Sequence, residues 1–285
     1  MNIVIAGPIR NCEENLEKNL EFLMSLKKSS IINEVSIFIL ESDSSDKTRE
    51  ILKKYTNTSN FFVYFKNNLE ESIPNRVERI AYCRNYLLNK INEEEVNFDF
   101  YIPVDLDLDL FSDTSRDKFI SLIEDLGNDP NNQAYFPYST PFYYDVAALR
   151  SHNWVKDDIW IKYYKMTKYI PMGKVFFRIF ILYRRQKPLP KNLRPIDVES
   201  AFGGIGIYKL YNLSLDNLSY GILDEAQTAD HIMFNKNIEK MVIIPNWNLS
   251  APKEHIEYKL LSTLNKIKYI VKDIFLDLKI LVFKN

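Results

Sequence analysis

Phe98-Asp99-Phe100-Tyr101-Ile102-Pro103-Val104-Asp105-Leu106-Asp107-Leu108-Asp109 is the run on which the fold turns. An apolar strand that ends in alternating carboxylates presents them at its carboxyl edge, where the ligands of open α/β sheets bind. If the chain stays extended, period-two spacing puts Asp105, Asp107 and Asp109 on one face. Crowded carboxylates repel unless a cation joins them, and hard oxygen donors suit Mg²⁺ or Mn²⁺, usually shared with substrate phosphates. The run therefore predicts a site for a metal and a diphosphate. The plainer reading is a solvated edge strand with its acids in water, and placement after an apolar strand favours the metal. Pro103 removes a ladder donor, which suits a central strand only if a bulge lies beside the site.

Upstream, short apolar runs alternate with amphipathic stretches, the pattern of βαβ units and a largely parallel sheet. Strands are predicted over residues 2–6, 35–40, 61–65 and 98–104, and helices over 13–28, 46–55 and 75–91. Gly7-Pro8 stops the first strand, and Ser44-Ser45-Asp46 forms a capping cluster before the second helix. Ile39-Leu40-Glu41-Ser42-Asp43 again ends a strand in carboxylates, which can accept from a base N–H or a ribose hydroxyl or can cap the next helix. In the third helix Arg76, Arg79 and Cys83 share a face. Guanidinium groups clamp phosphate, although solvated Arg–Glu pairs would explain the same pattern.

The rest of the chain mixes a helix over 114–126 with short strands and aromatic loops, and it is read as the acceptor half of the site. The 285 residues carry 37 Lys and Arg against 38 Asp and Glu, so no overall basic field exists to drive nucleic-acid binding. Charge is segregated instead. Residues 93–129 hold twelve acids against Arg116 and Lys118, whereas residues 156–187 hold nine cations, interleaved with aromatics, against Asp157 and Asp158. This basic aromatic flank suits an anionic lipid surface, a sugar-stacking surface, or a helical insertion packed on the core. Residues 258–285 read as a lysine-rich amphipathic helix, docked on the core or on a membrane. Two cysteines, Cys12 and Cys83, outside any C-x-x-C, point away from disulfide and zinc frameworks and toward a cytoplasmic protein. The N-terminus lacks a basic n-region and no run of eighteen apolar residues occurs, so neither export nor a membrane span is expected.

In order, Pro8-Ile9-Arg10-Asn11, Glu41-Ser42-Asp43-Ser44-Ser45-Asp46, Arg79 with Arg84-Asn85, and Asp105-Leu106-Asp107 resemble a GT-A glycosyltransferase. With Tyr143-Tyr144-Asp145 and Phe202-Gly203-Gly204, the set is similar to bacterial capsule or surface-polysaccharide glycosyltransferases, and distantly to fungal capsule-associated mannosyltransferases. The resemblance spans residues 2–255. It implies an α/β, GT-A (Rossmann-like) mixed sheet flanked by helices over residues 1–257. Within it, 1–110 would bind the nucleotide sugar, and 111–257 would form the acceptor half with an insertion at 152–192.

The same resemblance implies a UDP- or GDP-hexose donor, a surface-glycan or lipid-linked acceptor, and Mn²⁺ or Mg²⁺. Pro8, Arg10, Asn11, Glu41, Asp43, Arg79, Arg84, Asp105, Gly203 and Gly204 would face the donor. Asp105 and Asp107 would meet the metal, with the late His255 completing its shell. Ala229-Asp230-His231 falls where the family has an acid followed by His, so Asp230 is the leading catalytic carboxylate; Asp145 and Asp158 compete for the acceptor role. Bottom-up, His231 reads equally as a core histidine. Two alternatives are a non-catalytic glycan- or membrane-binding protein on the same fold and a sugar nucleotidyltransferase. The latter wants a Gly-rich phosphate loop with Lys, which Gly7-Pro8-Ile9-Arg10-Asn11 does not supply.

Overall fold

Strands β1 (Asn2–Ile9), β2 (Glu34–Ser42), β3 (Phe61–Lys66), β4 (Phe100–Pro103), β5 (Ala134–Thr140), β6 (Ile196–Val198), β7 (Ile207–Lys209) and β8 (Met241–Ser250) form one sheet. The computed structural model describes residues 1–170, 172–188, 194–211, 213–221, 229–260, 265, 266, 268 and 271. The strand order is β3-β2-β1-β4-β7-β5-β8-β6. The first four strands are parallel, β7 runs antiparallel to both its neighbours, β5 and β8 are parallel, and β6 closes the edge antiparallel to β8. The architecture is mixed α/β with helices on both faces, as the alternating sequence predicts.

The alternation of side chains across each strand builds two cores. Ile3 and Ile5 of β1 with Ile37 and Ile39 of β2 face one core, and Val4, Ala6, Phe38 and Leu40 face the other. Burial on both faces explains why these strands read as unbroken apolar runs. Helices α1 (Leu16–Ser25), α2 (Thr48–Lys53) and α5 (Arg116–Asn128) serve the first core through Leu16, Leu20, Leu23, Leu52, Phe119 and Ile123. Truncating a fully buried leucine such as Leu20 to Ala costs about 2–5 kcal/mol. The second core is covered by α4 (Arg76–Asn92), preceded by the single turn α3 (Leu69–Ser72), and by α9 (Asp230–Asn235).

Between β5 and β6 the chain forms a helical hairpin from α6 (Ile159–Tyr169), α7 (Gly173–Phe176), a π-helical stretch (Phe177–Leu182) and α8 (Tyr183–Arg185). The last described helix, α10 (Lys253–Leu260), starts before the helix expected at 258–285, most of which lies outside the described residues. Both cysteines are free and buried. Among the described residues no helix is long and apolar enough to cross a membrane.

Two expectations about the central strand are corrected. Pro103 needs no bulge: it is the last residue of β4, its carbonyl accepts from the Gly206 amide, and pairing to β7 resumes as the isolated bridge Val104–Ile205. The chain beyond it is not extended. The Leu108 amide donates to the Asp105 carbonyl and closes a turn, so the period-two face for Asp105, Asp107 and Asp109 does not form. Nor does Gly7-Pro8 stop the first strand: pairing with β2 carries on through Pro8↔Leu40 and Ile9↔Glu41. The first helix also starts later than residue 13, because the Glu13 amide donates to Asp46 instead of entering a helix.

Candidate active site

The sheet has a topological switch at β1, with β2 and β3 on one side and β4 on the other, which places a ligand crevice beyond the carboxyl ends of β1 and β4. Gly7 lets these strands approach there: a Cβ on it would stand 2.4 Å from the Val104 carbonyl oxygen. Side chains lock the neighbouring loops into a rim. Asn11, with φ 53°, donates its amide to Ser44 Oγ at 3.0 Å and accepts from the Ser45 amide at 2.8 Å. Pro8 sits just before it, half-buried in β1.

Several residues expected at the donor are engaged in building this rim. Glu41 is fully buried, accepts from the Ser44 amide at 2.8 Å and pairs with Arg49. Asp43 accepts from the Asn68 and Glu70 amides at the start of α3. Arg10 donates to the Asp43 carbonyl at 3.2 Å and to Glu70 at 2.5 Å, while Arg79 holds the Ile73 carbonyl at 2.6 Å. These four form a lattice along the β2 edge, whereas Arg84, Asp105, Asp230, Gly203 and Gly204 come together at β4.

Arg84, from the middle of α4, is the hub. Its Nη1 donates to Asp230 Oδ2 at 2.6 Å and its Nη2 to Asp105 Oδ1 at 2.7 Å, joining residues 146 and 21 positions away. The Arg84 and Asp230 side chains are only 6% and 10% exposed. The guanidinium lies over the rings of Phe202 and Tyr220, at 5.0 and 5.4 Å. Burial alone would lower its pKa, but Asp230 and Asp105 outweigh that and raise it. Beside it, His231 stacks on Phe202 at 3.6 Å with both ring nitrogens buried and unpaired, and burial holds its pKa well below the usual range. His231 is thus the core histidine of the bottom-up reading.

The turn after β4 is held from α1: Asn19 Nδ2 donates to the carbonyls of Leu106 and Leu108, at 3.2 and 2.7 Å, and Asn15 Nδ2 to that of Asp107 at 2.8 Å. Leu106 points into the core and Asp107 opens to solvent. Asp109 turns away and pairs with Lys18 at 2.7 Å, because the turn breaks the alternation. Asp105 is pushed up to about 7, by burial first and then by Asp107 and Asp230 against the opposing pull of Arg84. The walls of the crevice also strip hydration from Asp107 and raise its carboxyl, with Glu254 adding repulsion and Arg76 opposing it.

The far wall comes from the Tyr143-Tyr144-Asp145 segment and the glycine loop. Gly203 and Gly204 adopt φ 71° and 91°, which side chains resist, and a Cβ on Gly204 would stand 2.4 Å from Leu108 Cδ1. The Gly203 amide donates to Asp145 Oδ2 at 2.8 Å, and the Gly204 carbonyl accepts from the Asp105 amide at 2.8 Å, so this loop ties Asp145 to the β4 turn. Burial raises the Asp145 carboxyl against those hydrogen bonds. The Tyr144 phenol is held neutral, its pKa raised by burial and then by Asp145, Asp105 and Asp107. His255 is exposed in the first turn of α10, its ring 5.3 Å from Tyr144. Asp158 stands apart: it caps α6 and pairs with Arg150 at 2.5 Å.

Acids therefore outnumber cations in the crevice, and a bound cation would relieve that excess. Among the described residues no three His, Cys, Asp or Glu side chains converge closely enough to hold a metal ion. The donor set fits a cation bound by one or two carboxylates, with ligand oxygens and water completing its shell. Asn19, Tyr220 and Glu254 enter the site without having been singled out in the sequence, where Tyr144 stood only as part of a motif. A carboxylate-rich turn needs donors for its carbonyls, but nothing local says that Asn19 supplies them.

No protein-family model matches the chain, and no curated protein matches it. Among solved structures it is similar to S. aureus TarS 1–349 in complex with UDP-GlcNAc, at 14% identity over 97% of this chain and 66% of that one, with TM-score 0.47. The same TarS fragment in complex with UDP gives 13% identity over 97% and 65%, with TM-score 0.47. Glucosyl-3-phosphoglycerate synthase from Mycobacterium tuberculosis, in complex with Mn²⁺, UDP and phosphoglyceric acid, gives 13% identity over 97% and 77%, with TM-score 0.42. The chain spans less than two thirds of the length of the TarS structures.

Proposed function

We propose that this chain is a metal-dependent glycosyltransferase that moves a hexose from a UDP- or GDP-sugar to a surface-glycan or lipid-linked acceptor, of the capsule or surface-polysaccharide kind. The observation that carries the reading is the Arg84 hub, which gathers Asp105 and Asp230 with the glycine loop at the switch of the sheet. Asp107, open to solvent beside Asp105, is the first ligand for Mn²⁺ or Mg²⁺, with Asp105 as the second; His255, expected to complete the shell, does not converge with them into a three-residue metal set. The cation would neutralise the diphosphate as it leaves.

The chain's own groups account for the remaining steps. Gly203 and Gly204 present backbone without side chains, so a sugar ring can lie close to the loop. The acceptor hydroxyl attacks the anomeric carbon, the bond from that carbon to the diphosphate oxygen breaks, and the proton passes to a carboxylate. Asp145, a half-buried carboxyl with a raised proton affinity, suits that task. Asp230, fixed by Arg84 through one oxygen, orients the acceptor through the other. Tyr144, a neutral phenol among the acids, can donate to a departing or arriving oxygen. The rim network through Asn11, Glu41 and Asp43 shapes the nucleotide pocket.

The test is release of UDP or GDP from a panel of nucleotide hexoses with Mn²⁺. Release by the parent protein that falls at least about a hundredfold in Asp107→Ala supports the reading. A folded protein that turns over none of them, and binds no nucleotide, favours the non-catalytic alternative.

A further inference from the structure

We propose that the α6–α8 hairpin docks this protein on an anionic bilayer, with Tyr169, Ile170, Phe176 and Phe180 entering the headgroup layer and the surrounding lysines and arginines facing lipid phosphates. The hairpin has two apolar faces, and only one serves the fold. On the inner face Ile159, Val175, Phe177 and Tyr183 are buried; Trp160 stacks on Phe177 at 6.4 Å and Tyr163 meets the same ring edge-on at 5.1 Å. On the outer face and at the tip, Tyr169 is 71% exposed, Phe180 47%, Ile170 43% and Phe176 37%. Phe176 and Phe180 stack on each other at 5.9 Å and share one exposed aromatic surface.

Charge decides what can cover that patch. Residues 156–187 carry nine cations against two acids, and both acids are engaged: Asp157 by Lys162 at 2.6 Å and Asp158 by Arg150. The acids also sit at the base of the hairpin, leaving its outer part purely cationic. Lys168 lies over the Tyr169 ring at 5.2 Å and Arg184 over Phe180 at 5.5 Å, so cations and exposed rings are interleaved. A protein interface of this size would be depleted in lysine at its centre, whereas aromatic and aliphatic side chains ringed by lysine and arginine match an anionic membrane interface.

The two arms of the hairpin pack closely. Gly173 brings α7 back against α6 so closely that a Cβ there would stand 1.9 Å from the Met166 carbonyl oxygen. Its roots are tied to the acceptor wall: Trp154 Nε1 donates to the Arg185 carbonyl at 2.7 Å, Gln186 Nε2 to the His255 carbonyl at 2.9 Å, and the Tyr143 amide to the Lys187 carbonyl at 3.0 Å. The 11 residues of α6 span about 16 Å, which bounds how far the tip reaches from the roots tied to the acceptor wall. Docking would thus favour an acceptor carried on lipid. That last step rests on the glycosyltransferase reading, but docking itself does not.

The test is flotation of the full chain with vesicles of phosphatidylcholine alone or mixed with phosphatidylglycerol, at low and high salt. The parent should partition at least about tenfold more strongly to the anionic vesicles and lose most of that at high salt. Phe176→Ser with Phe180→Ser should weaken binding at least about tenfold, and Lys165→Glu with Lys168→Glu at least about twentyfold. Thermal unfolding should show each variant folded, and nucleotide affinity should be unchanged. Absence of partition to anionic vesicles, equal partition to both, or variants that bind like the parent would overturn the inference. So would binding of a soluble polyanion such as inositol hexakisphosphate without any vesicle partition. Flotation without nucleotide binding would leave docking standing and remove the glycosyltransferase reading.

Discussion

Replacing Arg84 with Met keeps the length of the side chain and removes the charge that joins two carboxylates. In the parent, Arg84 donates at 2.6 Å to Asp230 and at 2.7 Å to Asp105, and the Asp230 contact is almost wholly buried. Removing one member of a buried ion pair costs about 3–5 kcal/mol, because the remaining charge is left without a partner. Asp105 is 32% exposed, so water screens part of its loss and the lower end, about 3 kcal/mol, is expected. For a chain of 285 residues that is a fall of about 5 °C in Tm.

The loss should also depend on pH with a definite sign. Arg84 pulls the Asp105 carboxyl down while burial, Asp107 and Asp230 hold it above its ordinary value of 3.8, and without Arg84 it rises further. The stability of a group with a raised folded pKa is full below the unfolded pKa and is lost as pH rises through the folded one. The deficit of Arg84→Met should therefore be smaller at about pH 5 than at about pH 7.5, and adding Asp230→Asn should recover about 1–2 kcal/mol through the coupling of the pair. Urea denaturation at the two pH values reads both. A deficit under about 1 kcal/mol, or one equal at both pH values, would refute the hub.

Other residues give independent tests. His231→Phe keeps the stack on Phe202 and removes two unpaired buried nitrogens, so it should stabilise by about 1–3 kcal/mol at neutral pH. Because the His231 pKa is lowered in the folded state, its stability is present above the ordinary value of 6.5 and lost as pH falls; melting curves of the variant should lose that part of the acid decline. Asn19→Leu strands the Leu106 and Leu108 carbonyls and should cost about 2–3 kcal/mol in urea unfolding, where a change under about 0.5 kcal/mol would count against the brace. Gly204→Ala forces a side chain to φ 91° and should cost about 1–3 kcal/mol while weakening nucleotide affinity, read by calorimetry; an affinity equal to the parent's would separate the loop from the donor.

What the sequence disclosed follows from how local each signal is. Strands β1 and β2 were legible because burial on both faces leaves an unbroken apolar run, and β4 because its carboxylates follow such a run. Asp105 and Asp107 were legible from their place directly after a buried strand, not from their period-two spacing, which the turn breaks. Asp109 was not, since the turn at residues 105–108 replaces the alternation on which its reading rested. Glu41 and Asp43 looked equally fit for a nucleotide and for capping, and only the position of Arg49 and α3 shows them engaged within the protein. The Arg84–Asp230 contact bridges 146 positions, a separation at which no local pattern identifies the partner. For the same reason the basic aromatic stretch could be read as insertion, sugar platform or lipid surface until its inner and outer faces were separated.

Calorimetric titration of UDP and GDP, with and without Mn²⁺, reads whether a cation at Asp107 completes a nucleotide site. The parent should bind one of the two only with Mn²⁺, Asp107→Ala should lose that binding, and Asp109→Ala, which disturbs the contacts with Lys18 and Ser112 outside the crevice, should keep it. Binding that ignores Mn²⁺, or that fails in Asp109→Ala as fully as in Asp107→Ala, would contradict the account.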